Sequence, residues 1–359
     1  MTQPTMLDYI HDTPALLRRM VDDRAELTRD LVEVYRAHSP RRLRFVASGS
    51  SYHACLAAVP MLRELLDAEI SVVSPHSFTY YHGGVEPDDL VLVVSQSGLS
   101  TNAIEALQKV RELGGTAVGV TSDPAADIAK VSDHVIDYGV GVERVPYVTR
   151  GLAGLTVFLI LAAVEITGDD SVLPALQAAI EAYEPLIGRS AEFIEAHYPT
   201  LTSMATTYVC VSGPTEPAGL EMAMKIAETV HVPSFSYEVE EFIHGPNLQL
   251  DPTYTVFFLD PNDASSERVA LVYRGVRAVT DRAFILTANP AFADDPNALV
   301  LPEKPDERLL GLAYLPFLQM ICHEVSTALG STRQHPLMDR FREIVAAKTD
   351  DLFSTGQYF

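Results

Sequence analysis

The sequence predicts an α/β protein of two similar lobes, each a doubly wound, mostly parallel five-stranded sheet flanked by helices. Short apolar runs rich in β-branched residues alternate with helical segments, as in parallel sheets that are covered on both faces. The run at residues 90–94 is the clearest of these strands. The order of elements recurs after ~165 residues, which is the pattern that an internal duplication leaves.

Composition limits the classes of function. The chain has 359 residues and is 47% hydrophobic, so it can bury large cores in two domains. Its formal net charge of −22 argues against a nucleic-acid partner, because proteins that neutralise nucleic-acid phosphates carry a basic face. Cys55, Cys210 and Cys322 lie far apart, so neither a disulfide framework nor a paired-cysteine metal site is expected.

The expected location is the cytoplasm. The amino terminus shows neither the basic region nor the apolar region of a signal peptide. Residues 151–167 form the most apolar segment, but Glu165 interrupts it and it is short for a membrane span. We therefore expect a buried helix there and no membrane partner.

The first lobe is expected to follow a helical segment between residues 6 and 38, where apolar residues recur at the spacing of one or two helices. Its five strands are predicted at residues 44–47, 70–73, 90–94, 116–121 and 134–136. Helices are predicted at 52–66 and 101–113. Since no Gly-x-Gly-x-x-Gly motif follows the first strand, a dinucleotide cofactor is not expected.

Two of these strands end in serine-rich turns, at residues 48–51 and 95–100. Hydroxyls, backbone N–H groups and the positive end of a helix together suit a phosphate group. The ordinary alternative is helix capping, with Ser51 and Ser100 as N-caps and Gly98 easing the turn. Because ligands of doubly wound sheets bind at the carboxyl ends of strands where the winding reverses, the two turns are expected to converge.

The second lobe is expected after a helical bridge at about residues 172–197. Strands are predicted at 207–211, 255–259 and 283–287, and helices at 219–229 and 309–329. Where the first lobe has its second serine turn, the repeat has Asp260-Pro261-Asn262-Asp263. An aspartate at that position repels phosphate, so the anion site is placed in the first lobe only.

Acid–base chemistry is indicated in the second lobe by Lys225, Glu228 and His244. Lys225 and Glu228 are three residues apart on one helix face, where a solvated ion pair is the ordinary alternative. The apolar neighbours Met222 and Ile226 favour a partly buried carboxylate instead. His244 suits proton transfer near neutral pH, and its alternative role is to cap a turn.

Together these motifs resemble the sugar isomerase (SIS) domain family. Gly49-Ser50-Ser51-Tyr52, Ser95-Gln96-Ser97-Gly98, Lys225-x-x-Glu228 and the Glu-Phe-x-His-Gly-Pro motif at residues 241–246 follow the family's order. The likeness begins near Arg41 and covers nearly the whole chain beyond it. It is greatest to tandem-SIS proteins, such as the isomerase half of glucosamine-6-phosphate synthase and the fructosamine-6-phosphate deglycases.

The resemblance implies a role for each matching residue. Five residues fall on the family's sugar-phosphate-binding positions: Ser51, Ser95, Gln96, Ser97 and Ser100. Glu228 falls on the carboxylate that moves a proton between C1 and C2 of the sugar, and Lys225 on a lysine near the substrate. His244 falls on a histidine that assists ring opening and that, in the synthase, comes from the other subunit. The resemblance thus implies a homodimer or higher homo-oligomer, a small-molecule sugar phosphate as partner, and neither metal nor cofactor.

Departures from the synthase narrow the expected function. The sequence shows no amino-terminal cysteine nucleophile or glutaminase domain, and its Glu143–Arg150 loop and its tail at 335–341 differ. Lys348, the only lysine near the tail, is not assigned to the synthase's imine-forming lysine. Biosynthetic amidation is therefore not expected.

The expected function is a deglycase or isomerase that acts on a 6-phosphorylated ketosamine or amino sugar by C1–C2 proton transfer and imine hydrolysis. Alternatives are glucosamine-6-phosphate deamination, aldose–ketose isomerisation of a phosphosugar and, in another class, a non-catalytic regulator that binds sugar phosphates.

The resemblance also suggests domain boundaries. We expect an amino-terminal helical segment at 1–37, a first SIS domain with the sugar-phosphate loop at 38–170 and a helical linker at 171–197. A second SIS domain with the acid/base residues is expected at 198–332, followed by a carboxyl-terminal tail at 333–359.

Overall fold

A computed structural model describes residues 3–81, 84–331, 335 and 337–349 in two units. The first unit runs to Leu173 and includes the described part of the tail, and the second begins at Pro174. The predicted linker helices therefore belong to the second unit and the tail belongs to the first.

Helices and strands alternate along most of the chain. The helices are α1 (Met6–Asp22), α2 (Arg24–Leu27), α3 (Arg29–His38), α4 (Gly49–Leu65), α5 (Pro75–Tyr80), α6 (Thr101–Glu112), α7 (Arg150–Thr167), α8 (Leu173–Glu181), α9 (Tyr183–Ala196), α10 (Tyr198–Leu201), α11 (Glu216–Thr229), α12 (Val239–Ile243), α13 (Ser266–Arg277), α14 (Leu310–Ala313), α15 (Leu315–Leu329) and α16 (Met338–Val345). The strands are β1 (Arg42–Ala47), β2 (Glu69–Val73), β3 (Asp89–Val94), β4 (Val118–Thr121), β5 (His134–Asp137), β6 (Thr207–Val211), β7 (Ser234–Glu238), β8 (Thr255–Leu259), β9 (Ala283–Thr287) and β10 (Ala298–Val300).

The first unit contains a five-stranded sheet in the order β2-β1-β3-β4-β5, with every pair parallel. Leu43 of β1 lies between Ile70 of β2 and Leu90 of β3. All six residues of β3 are buried, because helices cover both faces of the sheet. On one face α7 packs against α4, and α1 packs in turn on α7.

The second unit repeats this topology in the order β7-β6-β8-β9-β10, again with every pair parallel. In both sheets the first strand of the unit lies between the second and the third. The shared strand order of the two sheets confirms the predicted pair of doubly wound five-stranded lobes. Strands β6, β8 and β9 begin and end at the predicted residues, and each is buried throughout.

Several local predictions need correction. The amino-terminal segment forms three helices rather than one or two, with breaks at Asp23 and Thr28. The predicted helical bridge is confirmed as helical, and it consists of two helices separated at Ala182. Strands β7 and β10, which had not been predicted, lie at the edges of the second sheet and are only partly buried, so they lack a continuous apolar run.

Among the described residues, two helical segments are long and apolar enough to cross a membrane, Arg150–Thr167 and Glu307–Leu329. The protein interior buries 78% and 89% of their apolar windows, respectively. The first is the helix that the sequence predicted to be buried, and 14 consecutive residues of it, from 151 to 164, are inaccessible to solvent.

Candidate functional site

The two serine turns of the first unit lie side by side at the edge of the sheet where its winding reverses. Residues 48–51 follow β1 and residues 95–100 follow β3, the adjacent parallel strand. The Asn102 side chain ties them together, since its Nδ2 donates to Ser48 Oγ at 3.1 Å. We call these two turns the serine cradle. Their convergence at the strand ends is as predicted.

The cradle's hydroxyls do not act as helix caps. Ser48 and Ser100 occupy the N-cap positions of α4 and α6, yet neither side chain makes a capping hydrogen bond. Ser51 lies inside the first turn of α4 and is buried. Ser95 Oγ donates instead to Ser100 Oγ at 3.1 Å. The capping alternative for Ser51 and Ser100 is therefore wrong, and the cradle groups polar side chains beyond what the helices need.

Gln96 is held by its backbone. Its carbonyl oxygen accepts hydrogen bonds from Ser122 N at 3.0 Å, Ser122 Oγ at 2.8 Å and Thr121 Oγ1 at 3.1 Å. Its side-chain amide lies against the start of α7, where a Cβ on Gly151 would come within 2.1 Å of Gln96 Oε1. Glycine at 151 thus makes room for the Gln96 amide.

Glu143 and Arg150 of the loop that departs from the synthase have structural partners. The buried Glu143 carboxylate accepts from Thr149 N at 2.8 Å and from Gly151 N at 2.7 Å, which fixes the start of α7. Arg150 pairs with Asp12 at 2.5 Å, and its guanidinium lies 4.8 Å from the Tyr9 ring centroid. These contacts direct Arg150 to α1.

The carboxyl-terminal tail adds a lysine to the cradle. Lys348 Nζ donates to Ser97 Oγ at 2.8 Å and to Ser100 Oγ at 2.7 Å. Residues 346–349 run antiparallel to the cradle, with Thr101 N donating to Ala347 O and Thr349 N to Leu99 O. Loss of water around the ammonium lowers the pKa of Lys348 from its usual value to about 8.

Sequence reasoning had left Lys348 without a role. The lysine meets hydroxyls about 250 positions earlier in the chain, and no local pattern reports such a contact. The sequence did offer one indication of a role for Lys348, since the Ala347-Lys348 pair also occurs in the synthase tail.

The corresponding edge of the second unit is closed by its own hydrogen bonds. Asp260 is buried, and its carboxylate accepts from Thr287 Oγ1 and Ser266 Oγ, each at 2.5 Å. Asn262 donates to Tyr314 Oη at 2.6 Å and accepts from the Ala288 backbone. The side chains of Asp260 and Asn262 thus occupy the strand end that corresponds to the serine cradle of the first unit.

Lys225 and Glu228 form a charge cluster with Glu221 on α11. Lys225 Nζ lies 2.5 Å from Glu228 Oε1 and 3.3 Å from Glu221 Oε1. Lys225 and Glu221 are fully buried, whereas the Glu228 side chain is 35% exposed. Burial alone would lower the pKa of Lys225, but the two carboxylates outweigh it and raise that pKa. Glu228 is thus the accessible member of the cluster, and Glu221 is a member that the sequence analysis missed.

His244 is exposed just beyond α12. Its Nδ1 lies 2.7 Å from the Glu240 carbonyl oxygen, which can only accept a hydrogen bond, so Nδ1 carries the hydrogen. In the neutral ring Nε2 is then the nitrogen that can accept a hydrogen bond.

Glu228 and His244 belong to helices on opposite faces of the second sheet. Helix α11 packs on the face of Val211 and Ser236, where a Cβ on Gly219 would come within 2.1 Å and 2.9 Å of those side chains. Helix α12 packs on the other face, with the ring centroids of Phe242 and Tyr208 5.5 Å apart. Because the sheet lies between them, these two residues of one chain are not brought together within this unit.

Within the described part of the chain, no group of three or more His, Cys, Asp or Glu side chains is arranged to hold a metal ion. Cys55, Cys210 and Cys322 are buried free thiols.

Comparison with known proteins agrees with this architecture. Residues 38–164 match the SIS domain model. A glutamine–fructose-6-phosphate aminotransferase (isomerizing) of Shewanella oneidensis is 24% identical over 358 aligned residues, which cover 92% of this chain and 57% of that protein. The chain thus spans little more than half the length of this curated relative.

Solved structures share the fold over nearly the whole chain. A Clostridium difficile protein, provisionally assigned as a phosphosugar isomerase, superposes with a TM-score of 0.85 at 23% identity and covers 96% of this chain and 99% of its own. Glucosamine-6-phosphate deaminase of Thermotoga maritima gives a TM-score of 0.71 at 17% identity, with coverages of 92% and 97%. The first unit therefore contains an SIS domain at residues 38–164, and the second unit repeats its sheet topology.

Proposed function

We propose that the chain is a phosphosugar-processing enzyme that removes the amine from a 6-phosphorylated ketosamine or amino sugar by C1–C2 proton transfer followed by imine hydrolysis. The observation that carries this proposal is the serine cradle. Its hydroxyls lie where ligands of doubly wound sheets bind, are not used as helix caps, and hold an ammonium group.

The cradle is proposed to bind the phosphate of the substrate. Ser51, Ser95, Ser97 and Ser100 supply hydroxyls, Gln96 supplies an amide, and the amino ends of α4 and α6 add N–H groups and positive dipole ends. Lys348 adds a positive charge at Ser97 and Ser100. A phosphate held in this way fixes the distance from the ester to the carbons that react.

Glu228 is proposed as the acid–base group. It removes a proton from C1 of the ketosamine, and the enolamine is protonated at C2 to give an aldimine. Water then hydrolyses the aldimine to an aldose 6-phosphate and the free amine. General acid–base catalysis by a positioned side chain contributes about 10²–10⁴-fold.

Lys225 is proposed to position Glu228 rather than to touch the substrate, because Lys225 is fully buried between two carboxylates. This assignment modifies the expectation that Lys225 is itself catalytic. His244 is proposed to assist ring opening from a second copy of the chain, since it lies on the far side of the sheet from Glu228 of its own chain.

Deamination of glucosamine 6-phosphate and aldose–ketose isomerisation remain alternatives that use the same enolamine or enediol chemistry. The Thermotoga maritima structure is named a glucosamine-6-phosphate deaminase, and the Clostridium difficile structure is provisionally named a phosphosugar isomerase. A non-catalytic regulator is the alternative from another class. It would require the cradle but not the buried Glu221–Lys225 pair that holds Glu228.

Product identification separates these functions. The purified protein is incubated with 6-phosphorylated fructosamines, glucosamine 6-phosphate and fructose 6-phosphate, and the products are identified by mass spectrometry. We expect aldose 6-phosphate and free amine from a fructosamine 6-phosphate. Tight binding of several sugar phosphates with no product from any of them would contradict the enzyme assignment and support the regulator.

The cradle itself is tested with Ser97→Ala. Removing a hydroxyl that bonds to a charged phosphate costs about 1.5–3 kcal/mol, so we expect the Kd for the sugar phosphate to rise about tenfold or more. Calorimetric titration measures the Kd. Ser171→Ala, at an exposed serine outside the cradle, is the matched control and should bind as the wild type does. Equal affinities of the two variants would place the phosphate elsewhere.

A further inference from the structure

The first unit has a cleft that the proposed function does not use. It has a volume of about 630 Å³, within the usual range for small-molecule sites. Strands β1 and β2 form its floor, and Tyr81, Gly84 and Glu86 form its wall. It is lined by Arg42, Arg44, Ser71, Val72, Val73, Tyr81, Gly84 and Glu86.

Two arginines in the floor are fixed by one buried carboxylate. Arg42 Nε donates to Asp89 Oδ1 at 2.5 Å, and Arg44 Nη2 lies 3.5 Å from Asp89 Oδ2. The Asp89 side chain is fully buried, whereas 37% of Arg42 is exposed. Arg44 is held further by Gly84 O at 2.9 Å and lies 6.0 Å from the Phe78 ring centroid. The guanidinium groups are therefore ordered before any ligand arrives.

The donor geometry of this pair suits an oxyanion. A guanidinium has five N–H donors in a planar fork, and the bond to Asp89 uses the Nε donor of Arg42. The Nη2 nitrogen of Arg42 makes only a loose ion pair, 3.8 Å from Asp88. Planar forks of this kind bind phosphate and carboxylate groups through paired hydrogen bonds.

Tyr81 gives the wall of the cleft one aromatic ring, which lies in a cluster with two neighbouring rings. The Tyr81 side chain is 74% exposed and that of Tyr80 is 61% exposed. The His76 ring lies 4.7 Å from the Tyr80 ring and 6.1 Å from the Tyr81 ring, so the three rings form one cluster. Such exposed rings offer a surface on which a planar base can stack.

The rim of the cleft supplies a hydrogen-bond acceptor, the carboxylate of Glu86. Glu86 lines the cleft, and its backbone N–H donates to Asp89 Oδ2 at 3.0 Å, which holds the backbone of Glu86 beside the arginines. A carboxylate beside a phosphate-binding group suits the hydroxyls of a ribose. Glu86 and the buried Asp89 balance the charges of Arg42 and Arg44, so the cleft is neutral in a chain whose net charge is −22.

We infer that this cleft binds a nucleotide, with the phosphate at Arg42 and Arg44, the base on Tyr81 and the ribose hydroxyls at Glu86. The site is separate from the serine cradle in its residues, since the two share no side chain. The inference therefore does not depend on the proposed sugar-phosphate chemistry.

Calorimetric titration of the full chain with adenosine 5′-monophosphate tests the inference, with inorganic phosphate and adenosine as partial ligands. We expect saturable binding of the nucleotide, and binding at least about tenfold weaker for each partial ligand, because each lacks one set of contacts. Saturating glucosamine 6-phosphate should leave nucleotide binding unchanged.

Variants locate the binding. Arg42→Gln and Tyr81→Ala should each weaken nucleotide binding, by about tenfold and about fivefold. Tyr81 is exposed, so its variant keeps the fold even where Arg42→Gln disturbs Asp89. Arg41→Gln, at the exposed neighbour outside the cleft, is the matched control and should bind normally.

Four outcomes would overturn the assignment: no saturable binding of the nucleotide, equal affinity for either partial ligand, displacement by glucosamine 6-phosphate, or normal binding by both cleft variants. The last two would place the nucleotide at another site.

Discussion

At the scale of single residues, the most informative side chain is Lys348. Its ammonium is held by Ser97 and Ser100 in surroundings that lower its pKa to about 8. Sequence analysis found the serines, because a turn between a strand and a helix has a local signature, but it left the lysine without a role. The contact depends on the path of the tail, which only the folded chain defines.

If the cradle binds phosphate as proposed, the lowered pKa of Lys348 predicts that this binding depends on pH. Below about pH 8 the group is an ammonium that attracts phosphate, and above it the amine is neutral. The affinity of the wild type for a sugar phosphate should therefore fall as pH rises through about 8. Lys348→Met should bind about tenfold more weakly at low pH and show no such fall. Titrations on both sides of this pH measure the effect, and parallel profiles of the two proteins would remove Lys348 from the phosphate site.

At the scale of elements, the start of α7 sets the position of the Gln96 amide. Gly151→Ala would place a Cβ within 2.1 Å of Gln96 Oε1, which lies at the flexible end of its side chain. The amide can move aside, so we expect little change in Tm but a Kd for sugar phosphate that is about threefold to tenfold higher. Thermal unfolding and calorimetric titration measure the two quantities.

Gly188→Ala is the matched control for that variant. Position 188 lies within α9, and a Cβ there would meet nothing within 4 Å. We expect it to stabilise the protein by about 0.5–1 kcal/mol through helix propensity and to leave ligand binding unchanged. A large drop in Tm for Gly151→Ala with normal binding would show that the glycine serves packing alone.

The elements also show how far sequence reasoning reaches. Strands such as β6 and β8 were predicted to the residue, because central strands of a parallel sheet are continuous apolar runs between polar turns. The edge strand β7 was not predicted, because its sequence Ser-Phe-Ser-Tyr-Glu is only partly buried and lacks a continuous apolar run. Helix starts were predicted three residues late where a small or polar residue, such as Gly49 or Glu216, opens the helix.

At the scale of the whole molecule, the repeated topology carries different chemistry at its two equivalent edges. The first edge presents the serine cradle, and the second is closed by the hydrogen bonds of Asp260. The difference was predictable, because an aspartate replaces the serines at one strand end. The placement of Glu228 and His244 on opposite faces of one sheet could not be predicted, because it depends on which face of the sheet each helix covers.

This arrangement predicts that active sites are shared between copies of the chain. Glu228→Gln and His244→Gln should each be inactive alone. If a two-fold dimer forms and exchanges subunits, mixing equal amounts should restore about a quarter of the wild-type activity, because one site of each mixed dimer then holds both native residues. A steady-state assay of the mixture measures the recovery. Mixtures that contain mixed dimers and are still as inactive as their components would show that His244 does not act on a partner's substrate.

Hydrogen exchange at the sugar carbons tests proton transfer by Glu228 most directly. Fructose 6-phosphate, glucosamine 6-phosphate and a fructosamine 6-phosphate are incubated with the protein in deuterium oxide, and deuterium at C1 and C2 is followed by NMR. We predict incorporation into at least one of them by the wild type, and a rate about 10²–10⁴-fold lower in Glu228→Gln with sugar-phosphate affinity retained. Binding of all three esters by the wild type with no deuterium incorporated, or equal rates in the two proteins, would contradict the account.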